Sequence, residues 1–202
     1  MVVTPARADA MEALLSAAEA MLVDVGYSGI TVRKLADRAG VNHGLVHYYF
    51  GSLEELLLQV VERFTSELIV RQKLMYAAPV PFVEKWRTAM QFMDDDADSG
   101  YQKIWFELQA LSWNNPAVRE RIQAMHQQWI DVVTEAFDTG LAELGVDRRR
   151  YPTRAIVSLV VTFNQGVMIE RLEGVDSGHR ELLRMIDRLV TRLEEEARDA
   201  RT

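Results

Sequence analysis

Between Thr31 and Phe50 the chain concentrates the side chains best suited to hydrogen-bonding chemistry: Thr31, Arg33, Lys34, Asn42, His43, Gly44, Leu45, His47, Tyr48 and Tyr49. What they offer is recognition rather than catalysis. Hydroxyls, imidazoles and amides bond phosphate oxygens or base edges, and a leucine can meet a thymine methyl. Gly44 permits close backbone approach. Arg33 and Lys34 fall in the first turn of a predicted helix, where the helix dipole disfavours cations; a nearby phosphate would reverse that penalty. Covalent chemistry has no such concentration of residues. The chain has no cysteine, no glycine-rich phosphate loop, no H-E-x-x-H pattern and no G-x-S-x-G elbow. Its four histidines, His43, His47, His126 and His179, have no recognisable partner in the sequence. No catalytic residue, metal ligand or cofactor is therefore assigned, and the chain is expected not to be an enzyme.

These residues need two short helices and a tight turn to hold them. Thr31 can cap the first helix with its hydroxyl. Val32, Leu35, Ala36 and Ala39 then recur at helical spacing and give one apolar face. Gly40 can end the helix in the left-handed conformation, Val41 can plug the corner, and Asn42 is a second N-cap. The next helix carries Leu45, Val46, Tyr49 and Phe50. Small Ala36 opposite Val41 and Val46 lets two helices cross closely. This is a helix-turn-helix pattern, whose second helix can enter a DNA major groove; an ordinary helical hairpin with a solvated polar face is the alternative that the pattern alone leaves open. The net charge is −7, yet residues 27–50 carry Arg33, Lys34 and Arg38 against Asp37 only. A small basic surface on an acidic chain suits contact at a limited site rather than general coating of nucleic acid.

With its flanks, the segment from about residue 10 to 60 resembles the DNA-binding domain of the TetR family of transcriptional repressors. The matching residues are Ala17, Gly26, Thr31, Val32, Leu35, Ala36, Ala39-Gly40-Val41, Gly44, Tyr49-Phe50, Ser52 and Glu55-Leu56. Leu45 stands where the family usually has a small hydroxyl residue, His47 where it has tyrosine, and Leu53 where lysine often follows the serine. The resemblance implies a helix-turn-helix DNA-binding domain over residues 1–52 and a helical ligand-binding and dimerisation domain over 53–202. It further implies a homodimer on a palindromic double-stranded operator, acting as a repressor and released by an unidentified small-molecule effector. Regulation by a protein partner, without a small ligand, is the competing expectation.

The remaining chain reads as helices throughout, giving an all-α fold of about nine. Thr4-Pro5 looks like a cap and first helical position, followed by a stripe of Leu14, Ala18, Met21, Leu22 and Val25. Arg7 is expected to be solvated. Ser52-Leu53-Glu54-Glu55 is a capping box opening a helix to about Tyr76. A helix over about 82–93 should give way to an acidic loop from Asp94 to Gly100, whose spacing matches no calcium loop. Helices over about 101–113 and 117–144 carry Trp105, Gln109, Trp113, Met125, His126 and Trp129. With Phe163 these are candidates to line an apolar effector cavity, and solid core is the plainer alternative. Arg148-Arg149-Arg150 reads as a solvated loop. Helices over about 153–172 and 179–197 carry Ile156, Val160, Phe163, Val167, Leu182, Ile186, Leu189 and Leu193. Pairing these with their copies in a second subunit would build a four-helix bundle across a two-fold axis.

At 202 residues and 49% hydrophobic content the chain can bury a sizeable core. No run of about 18 apolar residues predicts a membrane span, and the N-terminus lacks the pattern of a signal peptide. The absence of cysteine fits a reducing compartment, so a cytoplasmic location without membrane contact is expected.

Overall fold

Thr31 and Gly40 bracket the first short helix of the helix-turn-helix through a side-chain cap and a left-handed stop. The computed structural model describes residues 5–98, 100–175 and 177–200; the expected Thr4 cap lies outside them. Nine α-helices are present among the described residues, with no strand. They are α1 (Pro5–Val25), α2 (Val32–Ala39), α3 (Gly44–Phe50), α4 (Leu53–Ala77), α5 (Phe82–Asp98), α6 (Tyr101–Ser112), α7 (Pro116–Glu143), α8 (Thr153–Leu172) and α9 (His179–Asp199), with a single 3-10 turn over Tyr27–Gly29 between α1 and α2.

The chain divides into two compact units. The first comprises Met1–Glu67 and Asp98–Met125; the second comprises Leu68–Ala97 and His126–Thr202. In the first unit Leu14, Ala18 and Leu22 of α1, Leu35 of α2, Val46 of α3, Leu56, Leu57, Val60 and Val61 of α4, and Ile104 and Leu108 of α6 are completely buried. Val25 does not continue the α1 stripe inward. It is half exposed, because the helix ends there and Gly26 turns the backbone to φ +69°. Two arginines tie the helices from outside the core. Arg63 of α4 pairs with Glu12 at 2.7 Å and with Glu19 of α1. Arg121 of α7 pairs with Glu62 at 2.6 Å and with Glu55, both of α4.

The second unit is built around Phe82 and Trp86 of α5, Val133, Phe137 and Leu141 of α7, and Val157 and Val161 of α8, with Leu144 just past the end of α7 and Ile186, Val190 and Leu193 of α9 packed against them. Phe82 meets Phe137 edge to face, ring centroids 5.3 Å apart. That approach requires Gly140, where a Cβ would stand 2.1 Å from the Phe82 ring.

The structure corrects one expectation here. The acidic segment after Met93 is not a loop: α5 continues to Asp98. Two of its carboxylates are paired with arginines from distant helices, Arg71 bonding both oxygens of Asp96 at 2.6–2.7 Å and Arg171 reaching Asp94 at 2.7 Å. Within its own chain α8 buries only part of its surface. Val157, Val161, Val167 and Met168 are inside, whereas Leu159 is 71% exposed and Ile169 and Leu172 are also exposed. By length and mean hydropathy alone α8 would pass for a membrane-crossing helix; Asn164, Gln165 and Glu170 interrupt it, and its inner face belongs to the core of the second unit.

Candidate nucleic-acid interface

The short α2 is delimited by its own side chains. Thr31 is extended, and its hydroxyl oxygen accepts from the Lys34 amide at 3.3 Å. Gly40 closes the helix in the left-handed conformation, φ +68° and ψ +29°, and the Val41 amide returns to the Ala36 carbonyl at 3.1 Å. The turn into α3 differs from expectation by one residue. The residue flanking α3 is His43, which makes no side-chain cap. Asn42 acts from one position earlier, its side-chain oxygen accepting from the Gly44 amide at 2.8 Å. A Cβ on Gly44 would lie 3.2 Å from that oxygen, so glycine here serves the turn as well as leaving the helix start uncovered.

The polar residues of this segment face outward. Thr31, Arg33, Lys34, Asn42, His43, Gly44, His47 and Tyr48 are exposed, and Leu45 and Tyr49 are half-buried above the interior Val46 and Phe50. Tyr48 projects furthest, 71% exposed, its ring packed edge-on against Tyr49 at 5.1 Å. The cations are not equivalent. Arg38 is engaged by Asp24 at 2.7 Å, and the Lys34 ammonium donates to the Gly29 carbonyl at 3.2 Å. Arg33, in the unfavourable first turn, has no ion-pair partner among the described residues. His47 is oriented by its own helix end: Nδ1 lies 3.1 Å from the Gly51 carbonyl. A carbonyl only accepts, so Nδ1 is the donor in this contact.

Arg7 is not simply solvated. It is half-buried, and its guanidinium lies 5.5 Å from the centre of the Tyr49 ring, a cation–π contact that joins the start of α1 to the end of α3. Nothing in the sequence around Arg7 signals this contact. The capping box at Ser52 forms by half: Ser52 accepts from the Glu55 amide at 3.0 Å, while the Glu55 carboxylate turns to Gln59 and Arg121.

The residues considered for an effector site are distributed over both units. In the first, Trp105 and Met125 are buried, Gln109 is half-buried, and Trp113 is 69% exposed at the end of α6. Met125 sulfur and the Tyr101 hydroxyl both lie on the buried Thr65 hydroxyl, at 3.6 and 2.9 Å. In the second, His126, Trp129 and Phe163 are half-buried. Trp129 donates through Nε1 to the Gln72 side-chain oxygen at 2.9 Å, and burial holds the His126 pKa below the usual imidazole value. One residue after Phe163, the Asn164 side-chain oxygen is buried without a hydrogen-bond partner among the described residues.

Of the residues considered for a subunit interface, Val167 is buried within its own chain; Ile156, Val160, Ile186 and Leu193 pack partly against the second unit's core. Phe163 and Leu182 are half-buried, and Leu189 is 55% exposed. Leu159 and Met185, 71% and 54% exposed, lie on the same two helices outside that set. A finer count of which α8 and α9 positions the intrachain core uses up would have found them.

Comparison with known proteins agrees with this geometry. Residues 14–60 match the family described as bacterial regulatory proteins, tetR family. The chain is similar to the HTH-type transcriptional activator FasR of Mycolicibacterium smegmatis, 25% identical over 154 residues that cover 68% of this chain and 69% of that one. It is equally similar to the HTH-type transcriptional repressor KstR2 of the same organism, 25% identical over 143 residues, 68% and 70% of the two chains. Its fold matches that of the transcriptional regulator FadR from Bacillus subtilis, solved in complex with stearoyl-CoA, with a TM-score of 0.70 at 16% identity over 89% of this chain and 96% of that one.

Proposed function

We propose that this chain, whose residues 14–60 match the tetR family of bacterial regulatory proteins, acts as a homodimeric repressor that reads a palindromic operator and is released by a small, moderately apolar effector. The observation that carries this reading is the outward face of α3 and the turn before it, where Asn42, His43, Gly44, His47 and Tyr48 stand exposed. Each subunit inserts α3 into one major groove. Two-fold symmetry then requires an inverted repeat whose half-sites lie about one helical turn apart, ~34–36 Å, or a multiple of it. A dimer seated on such a site blocks transcription by occupancy alone. Arg33 and Tyr49 fix the register through phosphates, and His47 and Leu45 meet base edges.

The dimer forms through the apolar positions of α8 and α9 that the single chain leaves exposed, Leu159, Met185 and Leu189 among them. An effector is supported by the stearoyl-CoA bound to FadR and by the orphaned acceptor of Asn164, which a ligand donor would satisfy. A second reading, regulation by a protein partner without a small ligand, is favoured by one observation: Trp113, placed in the lining by its spacing, faces solvent. Selection of bound sequences from a random duplex pool tests the reading. Enrichment of an inverted repeat is expected; binding without sequence enrichment would refute it.

A further inference from the structure

The 3-10 turn between α1 and α2 has an amide that its own helix cannot satisfy. α1 ends when the Gly26 amide bonds the Leu22 carbonyl. The next amide, that of Tyr27, lies beyond the helix and points at the Glu107 carboxylate of α6, 2.7 Å away and 80 residues distant in sequence. Such a charge-assisted bond is among the stronger kinds. The approach is close. Glu107 would stand 2.9 Å from a Cβ on Gly26, and the Lys103 ammonium 3.3 Å from it, so the α6 carboxylate sits in space that only glycine leaves free. On its other side the Tyr27 phenol faces Glu54 at the start of α4; burial first, and then that carboxylate, raise its pKa.

The path from this turn into α2 is short and tightly tethered. The Ile30 amide bonds the Tyr27 carbonyl at 3.2 Å, Ile30 is buried, and Thr31 is already the cap of α2. The Lys34 ammonium returns to the Gly29 carbonyl, and Arg38 returns to Asp24 at the end of α1. The direction in which the turn leaves α1 therefore sets where α2 begins, and the closed α2–α3 turn hands that direction to α3.

We propose that Glu107 is a positioning residue for DNA reading: by holding the Tyr27 amide, α6 sets the orientation of the α1–α2 turn, and through it the reading helix, by a route that does not pass through α4. This rests on the operator-binding reading of the chain. A shift of α6 by about an ångström would carry this 2.7 Å bond past hydrogen-bonding range and release the turn.

The test uses the full chain and the selected operator, comparing wild type, Glu107→Gln and Glu107→Ala for operator affinity, thermal midpoint and amide exchange at Tyr27. Gln keeps an oxygen that accepts from the amide, and Ala does not. Glu107→Ala is expected to expose the Tyr27 amide to exchange and to lower operator affinity on the order of ten-fold, the loss of a bond to a charged group; Glu107→Gln should recover most of both, at nearly unchanged thermal midpoint. An Ala variant whose Tyr27 amide exchanges freely while operator affinity stays at the wild-type value would overturn the proposal, as would an affinity loss that Gln does not recover. Wild-type protein that binds no operator would instead refute the functional reading itself, a result separable from either.

Discussion

Arg33 and His47 lie on the same exposed segment, and their surroundings assign them different work. Arg33 is a cation in the first turn of α2 with no acid beside it in that turn; a phosphate is the partner that makes the position favourable. Arg33→Ala should weaken binding to all duplex sequences alike and lower the salt slope by about one, as read by titration across salt concentrations. A changed sequence preference with an unchanged slope would assign it to base reading. His47 is exposed and is held by the Gly51 carbonyl through Nδ1, which leaves Nε2 free to meet a base edge. His47→Ala should relax preference at one base pair of each half-site and leave the salt slope alone. The second unit offers a purely structural counterpart. Gly140→Ala would drive a methyl into the Phe82 ring and should cost about 1–3 kcal/mol in denaturant unfolding, the range for overpacking; an unchanged midpoint would mean that α5 and α7 separate easily.

Elements were legible in the sequence where their ends are local. Thr31, Gly26, Gly40 and Gly145 announce helix boundaries by chemistry contained within a few residues, and the order of nine helices among the described residues accords with them. The acidic end of α5 was not legible, because its helical state depends on Arg71 and Arg171, 25 and 77 residues from their partners. A run of aspartates alone reads as loop. Glu107 was hidden for the same reason: nothing near Tyr27 signals that its amide is satisfied from α6. Exposure within α8 and α9 depends on which positions the core consumes, so the stripe was visible but which of its members face outward was not. The α7 helix carries a testable consequence of burial. His126 has a lowered pKa because burial disfavours its charged form. The unfolded chain therefore takes up that proton first, so stability contributed by the neutral ring is present above the ordinary histidine pKa of ~6.5 and is lost as pH falls from there towards the folded value. Wild type should lose stability in that window more steeply than His126→Gln, measured by thermal midpoint at matched pH; parallel profiles would contradict the assignment.

At the scale of the whole molecule, a net charge of −7 and an outward-facing α3 together suit a protein that approaches DNA only along a defined surface. On the proposed reading, the exposed leucines of α8 and α9 decide assembly. A charge at Leu159 or Leu189, both more than half exposed in the single chain, leaves the fold intact but becomes buried and unpaired in a dimer. Leu159→Glu combined with Leu189→Glu should shift sedimentation to the monomer at micromolar concentration while the helical circular dichroism stays constant. A variant that remains dimeric would move the interface elsewhere. Operator affinity should fall with the dimer, because two linked reading heads bind far more tightly than one.

The most direct measurement of the central claim is a hydroxyl-radical footprint of the wild-type protein on its selected operator, beside one made with the monomeric variant. Two protected half-sites related by a two-fold axis, centred about one helical turn (~34–36 Å) or a multiple of it apart, with both lost together in the variant, is the predicted result. A single protected site without two-fold symmetry, or protection that the monomeric variant retains at the same concentration, would contradict it.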